Sequence, residues 1–176
     1  MQIKVGKKVK VLYLIICLLC TTNIWAQKLY VVSVGICEYK DSQVNDLRFT
    51  EADVASFNKV VKTHTNEVYT LIGSKATHAN VYSCINQVFA KATTNDAVML
   101  FFSGHGYPGG FCCYDMNKTT GGLTYTEISS LFKQCRAKCK MVFADACFSG
   151  GLRKEKQGND ATSSVRNGDI MFFLSS

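Results

Sequence analysis

Two apolar runs, "VMLFFSGHGYPGG" and "KMVFADACFSGG", each stop at one reactive side chain, His105 in the first and Cys147 in the second. A thiolate beside an imidazole is the least machinery that transfers an acyl group from a peptide. The sulfur attacks the carbonyl, and the histidine supplies the proton that the leaving amine needs. Glycines crowd both places, Gly104, Gly106, Gly109 and Gly110 around the histidine and Gly150 and Gly151 after the cysteine. They permit tight turns and leave a substrate backbone room to approach. Backbone N–H groups near Gly106 and Cys147 are then expected to form an oxyanion hole.

Such residues need elements to hold them, and the pattern supplies strands and helices in alternation. "KLYVVSVGIC" (28–37), "EVYTLIG" (67–73), "DAVMLFF" (96–102), "KMVFADA" (140–146) and "IMFFLSS" (170–176) are apolar, β-branched or aromatic runs, and read as strands. Between them, Leu47 to Val61 and "NVYSCINQVFAKA" (80–92) carry apolar residues at helical spacing, the second with Asn80 as its expected N-cap. A hairpin is expected around "FCCYD" and a further helix from Tyr125 to Ala137. Strands apolar on both faces that alternate with helices indicate an α/β class with a parallel sheet covered on both sides. In such a sheet ligands sit beyond the carboxyl ends of the strands, where His105 and Cys147 both fall.

The chain has 176 residues, 47% of them hydrophobic and one of them proline, which fits one globular domain with a full core. At the N-terminus Lys4, Lys7, Lys8 and Lys10 precede the apolar run "VLYLIICLL" and then "CTTNIWAQ". A basic stretch, a short apolar stretch and a small residue at Ala26 read as a secretory signal peptide over 1–26, cut before Gln27. The run is too short to remain as a membrane span. A lipoprotein variant would lipidate Cys17 or Cys20, but no small residue precedes either. The expected mature domain is 27–176, exported to the periplasm or secreted. Losing residues 1–26 removes four lysines and no acid, so the formal charge drops from +7 to +3 and no nucleic-acid partner follows from it.

An apolar strand ending in "SGHG", followed by a second ending in "DACFSG", resembles the caspase-like cysteine peptidases, and among them the metacaspases and their bacterial relatives. The opening "VVSVGICEYKDSQVNDLRFTEADVASF" resembles the family's first strand and helix, so the likeness runs from about residue 28 to the end. "DAC" stands where caspases have "QAC", and the spacing from His105 to Cys147 is a little shorter than the roughly 50 residues of the caspase pattern. The resemblance implies a three-layer sandwich with a mostly parallel sheet, His105 as general base and acid, and Cys147 as nucleophile. It implies that Asp145, Asp53 and Ser103 line the primary specificity pocket. Two carboxylates in a partly buried pocket repel one another unless a cation sits between them. The expected substrate is therefore a peptide cut after Arg or Lys, not after Asp.

Many metacaspases hold calcium with an acidic cluster, whereas "FSGGLRKEKQ" after Cys147 is mostly basic, so no cofactor and no metal is expected. The polar stretch 151–169 lies where the family separates its subunits and carries Arg153, Lys154, Lys156 and Arg166, which suggests self-cleavage. Family domains usually continue past the last strand. That leaves a second chain completing the fold, a truncated product or a fragment as the alternatives, and gives weight to a catalytically silent binding module beside the peptidase. A Cys–His amidase on an α/β sheet is a third reading, one that needs no acidic pair. His64 and His78 lie in polar stretches and are expected to be solvated. Cys135 and Cys139 read as one helix stripe, and Cys112 and Cys113 as alternating strand residues, one of them a candidate for a disulfide.

Overall fold

The structure is a computed structural model and describes residues 27–117, 122–146 and 170–175. In chain order its elements are β1 (Leu29–Gly35), α1 (Thr50–Val61), β2 (Val68–Ile72), α2 (His78–Phe89), β3 (Ala97–Ser103), β4 (Gly106–Tyr107), β5 (Gly110–Phe111), β6 (Leu123–Thr124), α3 (Tyr125–Gln134), β7 (Cys139–Asp145) and β8 (Ile170–Ser175). β2, β1, β3, β7 and β8 form one sheet in that order, every pair parallel, and β4, β5 and β6 form a small antiparallel sheet beside it. The five expected strands and three expected helices are all present. The signal-peptide reading (1–26), the self-cleavage stretch (151–169) and Cys147 lie outside the described residues.

β1 and β3 are buried almost throughout because helices cover both faces. On one face Val32, Val34, Leu100, Phe102, Val142 and Ala144 meet Val81, Ile85 and Phe89 of α2 and Ile128 and Phe132 of α3. Each fully buried Val, Leu, Ile or Phe side chain among them contributes ~1.5–3 kcal/mol through its removal from water. On the other face α1 lies over Val31 and Met99 through Val61 and Phe57, and the Phe57 ring stacks on Phe101 with centroids 4.1 Å apart. Phe101, Phe143 and Phe173 stand in register across β3, β7 and β8, with Phe143 and Phe173 stacked at 4.2 Å. Met171 and Phe173 on the β8 side of that face are exposed. No helix among the described residues is long and apolar enough to cross a membrane.

Gly35 sets the approach of α1 to the sheet. A Cβ there would lie 2.7 Å from Val54 Cγ2 and 3.0 Å from the Thr50 carbonyl oxygen, so only glycine lets the helix come this close. Helix α1 begins at Thr50, not at Leu47, because the Leu47 N–H donates to the Cys37 carbonyl at 2.8 Å and keeps 47–49 in the loop. Helix α2 begins three residues earlier than the expected cap would place it. Its cap is Thr77, whose side chain accepts from the Asn80 N–H, so Asn80 lies inside the first turn. A capping box starts α3: the Thr124 hydroxyl accepts from the Glu127 N–H, and the Glu127 carboxylate from the Thr124 N–H.

The cysteine expectations need correction. Helix α3 stops at Gln134, with Cys135 already extended and Cys139 opening β7, so the two do not share a helix stripe. Cys112 and Cys113 follow β5 instead of alternating within it, and both are buried. Among the described residues Cys37, Cys84, Cys112, Cys113, Cys135 and Cys139 are all free thiols. His78 is half-buried and bound to Glu127 at 3.0 Å, a link between the starts of α2 and α3, whereas His64 is exposed as expected.

Candidate active site

The carboxyl ends of three neighbouring strands make one row, Gly35 beside Ser103 beside Asp145. Residues aligned across parallel strands point to the same side, so Ser103 and Asp145 face the α1 layer. There the Ser103 hydroxyl, buried from solvent, donates to Asp53 Oδ2 at 3.2 Å. Asp53 sits half-buried in the first turn of α1, and Asp145 is exposed at the end of β7. The three residues expected to line a pocket thus come together on one side of the sheet, carried there by the close passage of α1 over Gly35.

One residue beyond β3, Gly104 leads into His105. The Gly104 N–H donates to the Asp145 carbonyl at 3.2 Å, joining the ends of β3 and β7. The His105 N–H donates to the Tyr39 hydroxyl at 2.8 Å, and its carbonyl accepts from the Cys112 N–H at 2.8 Å. The imidazole Nε2 lies 2.7 Å from the main-chain oxygen of Asn45. A carbonyl oxygen only accepts, so Nε2 carries the hydrogen and the neutral ring keeps Nδ1 as its basic nitrogen. The Tyr39 ring lies against the imidazole with centroids 5.3 Å apart.

Charge and burial around this histidine are uneven. Burial pushes the Tyr39 phenol well above its ordinary range, although its bond to the His105 main chain pulls the other way. Burial likewise pushes the Cys112 thiol up to about 11 and the Cys113 thiol up to about 12. Both are therefore neutral near pH 7 and poor nucleophiles. Gly106 follows His105 directly and opens β4. Tyr107 begins to fold back in the same strand, and its hydroxyl donates to the Gly122 carbonyl at 3.4 Å. β7 delivers Asp145 and buried Ala146, and Cys147 is the next residue. Since β3 and β7 are neighbours, their carboxyl ends at Ser103 and Asp145 lie side by side. Among the described residues no three His, Cys, Asp or Glu side chains are grouped to hold a metal ion.

Two contributors to the site were not singled out in the sequence. Asn45 acts through its main-chain oxygen, which every residue type possesses, so no side-chain pattern could mark it. Tyr39 is an aromatic residue in an otherwise polar loop, "CEYKDSQVND", and that contrast is the signal that could have found it.

Comparison with known proteins agrees with this architecture. The caspase-domain family model matches residues 29–176, and the chain belongs to that family, a family of cysteine peptidases that act on proteins. Among solved structures, a protein of Geobacter sulfurreducens is similar at 24% identity with a TM-score of 0.59, over 73% of this chain and 53% of that one. The structure of pro-sf-caspase-1 is similar at 13% identity with a TM-score of 0.57, over 69% of this chain and 52% of that one. The chain thus spans about half the length of the solved structures it matches, and at these identities they establish the caspase fold alone. No curated protein matches the sequence.

Proposed function

We propose that this chain is a cysteine endopeptidase that cuts after Arg or Lys, with Cys147 as nucleophile and His105 as its base. His105 Nδ1 takes the thiol proton, and the sulfur adds to the substrate carbonyl. N–H groups at Gly106 and Cys147 receive the oxyanion. The imidazolium then protonates the leaving amine, the C–N bond breaks, and an acyl-enzyme remains. Water, deprotonated by the same nitrogen, attacks that acyl group and frees the thiol. Asp53 and Asp145, with Ser103 between them, hold the substrate cation. Cleavage needs no metal in this reading, and the protein works outside the cytoplasm after loss of residues 1–26.

The observation that carries the reading is the Ser103–Asp53 contact on the face that Asp145 shares. Two acids and a hydroxyl at the mouth of the histidine strand make a site for a cation, and Arg or Lys is the cation a peptide offers. The test is hydrolysis of short fluorogenic peptides ending in Arg, Lys or Asp, with Cys147→Ala protein alongside. Turnover of the basic peptides that vanishes in the variant is expected. Turnover of the Asp peptide alone would overturn the specificity, and equal turnover by the variant would overturn the nucleophile.

A second reading, a silent module that binds protein, is favoured by one observation. Met171 and Phe173 present apolar surface at the edge of the sheet, where a second polypeptide could complete the core. Folded protein that turns over none of the peptides would favour it.

A further inference from the structure

Tyr39 takes no part in the steps above, yet it is buried and bonded to His105. It stands in the loop between β1 and α1, 8% exposed, with its hydroxyl accepting the His105 N–H at 2.8 Å and its ring tilted by 34° against the imidazole. Gly104 makes room for it, since a Cβ at Gly104 would lie 3.1 Å from the Tyr39 oxygen and 3.1 Å from the Phe102 ring. The same loop carries Asn45, whose carbonyl receives the imidazole Nε2. Two backbone bonds fix the loop to the body of the protein, Ile36 N–H to the Ser103 carbonyl at 3.1 Å and Lys40 N–H to the Tyr114 carbonyl at 2.9 Å, and Leu47 N–H to the Cys37 carbonyl at 2.8 Å closes the loop on itself. One loop therefore grips His105 twice, at its main-chain nitrogen through Tyr39 and at its ring through Asn45.

The two grips depend on each other. Nε2 reaches the Asn45 oxygen only if the main chain at 104–105 sits at the right height above the loop. The Tyr39 hydroxyl is the bond from that loop that holds it there, beside the bonds to the Asp145 carbonyl and from the Cys112 N–H. A hydrogen bond held at 2.7 Å tolerates little displacement before it weakens. Loss of the hydroxyl would also leave a main-chain N–H without its acceptor in a partly buried place.

We propose that Tyr39 is a positioning residue for His105, whose hydroxyl holds the main chain so that the imidazole keeps its proton on Nε2 and presents Nδ1. The role in turnover rests on the peptidase reading; the role in setting the tautomer does not.

Tyr39→Phe tests it, because the ring and its packing stay and one oxygen leaves. The chain has three histidines, so nitrogen-15 labelling of histidine and long-range proton–nitrogen correlation spectra give a short list of signals, assigned with His64→Gln and His78→Gln. With its ring neutral, His105 in the unaltered protein is expected as the Nε2–H form. In Tyr39→Phe the ratio of Nε2–H to Nδ1–H forms is expected to fall by ~5-fold, and kcat by ~10-fold with KM within about twofold, the pattern of a misplaced base. Tyr30→Phe, another buried tyrosine outside the site, is the control and is expected to change neither.

An unchanged tautomer ratio in Tyr39→Phe would overturn the proposal, as would an equal kcat loss in Tyr30→Phe. Should Tyr39→Phe not fold, Gly104→Ala pushes a methyl at the hydroxyl and is expected to shift the tautomer in the same direction; no shift there would count against the proposal equally. If the unaltered protein cleaves no peptide, the peptidase reading fails while the tautomer ratio still decides the role of Tyr39.

Discussion

Nε2 of His105 and the main-chain oxygen of Asn45 are 2.7 Å apart, although the two residues belong to different loops. On the peptidase reading a third group must orient the base, and a carbonyl dipole does it without adding a charge. On the same reading the imidazolium formed during turnover would be stabilised by that oxygen, so the contact would serve both protonation states.

Because that contact is made by the backbone, the side chain at position 45 is dispensable. Asn45→Ala is expected to keep kcat/KM within about threefold of the unaltered protein, whereas His105→Ala is expected to lose ~100-fold or more. Peptide kinetics on the two variants measures both. A loss in Asn45→Ala as deep as in His105→Ala would mean that the amide itself takes part.

Asp53 and Asp145 are expected to contribute unequally to recognition of a basic side chain. Asp53 is half-buried and already bonded to Ser103, while Asp145 is exposed and screened by solvent. Asp53→Asn keeps an acceptor for Ser103 and removes only charge. It is expected to lower kcat/KM for Arg peptides by ~30-fold, with Asp145→Asn costing about fivefold. Kinetics with an Arg peptide and a neutral analogue separates the charge effect from general damage. The reverse order of the two losses would place the cation nearer Asp145.

Stability in acid should depend on Asp96. Burial pushes this carboxyl up, but the Thr93 N–H at 2.7 Å, the Lys28 N–H at 2.9 Å and the Thr93 hydroxyl at 2.7 Å more than offset that and hold it below its ordinary range. A lowered folded-state pKa means stability that is fully present above the unfolded value of about 3.9 and lost as pH falls through the folded value. Asp96→Ala is expected to cost about 1–3 kcal/mol at pH 7 in urea unfolding, a difference that shrinks below about pH 4. A difference that stays constant with pH would assign the loss to packing instead of charge.

Thiol chemistry offers a readout independent of any peptide. With their pKa values near 11 and 12, Cys112 and Cys113 hold a very small thiolate fraction at pH 7.5 and are shielded from solvent. Iodoacetamide followed by mass spectrometry is expected to leave both unmodified in folded protein while Cys147 is labelled first. Rapid labelling of Cys113 at pH 7.5 would contradict the burial described for it.

Much of the architecture was legible because burial on both faces leaves a plain mark. "VVSVG" and "VMLFF" read as strands, and the residues at their carboxyl ends followed from the parallel arrangement. Boundaries were harder wherever a tertiary bond overrode local preference, as where the Cys37 carbonyl takes the Leu47 N–H and delays α1. Cys135 and Cys139 keep helical spacing, but the chain turns extended at Cys135, and spacing carries no information about where a helix stops short. The acids Asp53 and Asp145 were identifiable through family likeness and not from composition. The carbonyl of Asn45 left no trace, since recognition by main-chain atoms is invisible to residue type.

The row that joins Gly35, Ser103 and Asp145 also bears on synthesis. β1, the loop with Tyr39 and Asn45, and β3 all leave the ribosome before β7, and nothing in the pairing of β2, β1 and β3 has to wait for later strands. Tyr39, Asn45 and His105 are thus all made while the cysteine is still unmade. An interrupted translation product that ends before β7 carries a base with no nucleophile, so on the peptidase reading an abandoned nascent chain is harmless to the cell that made it.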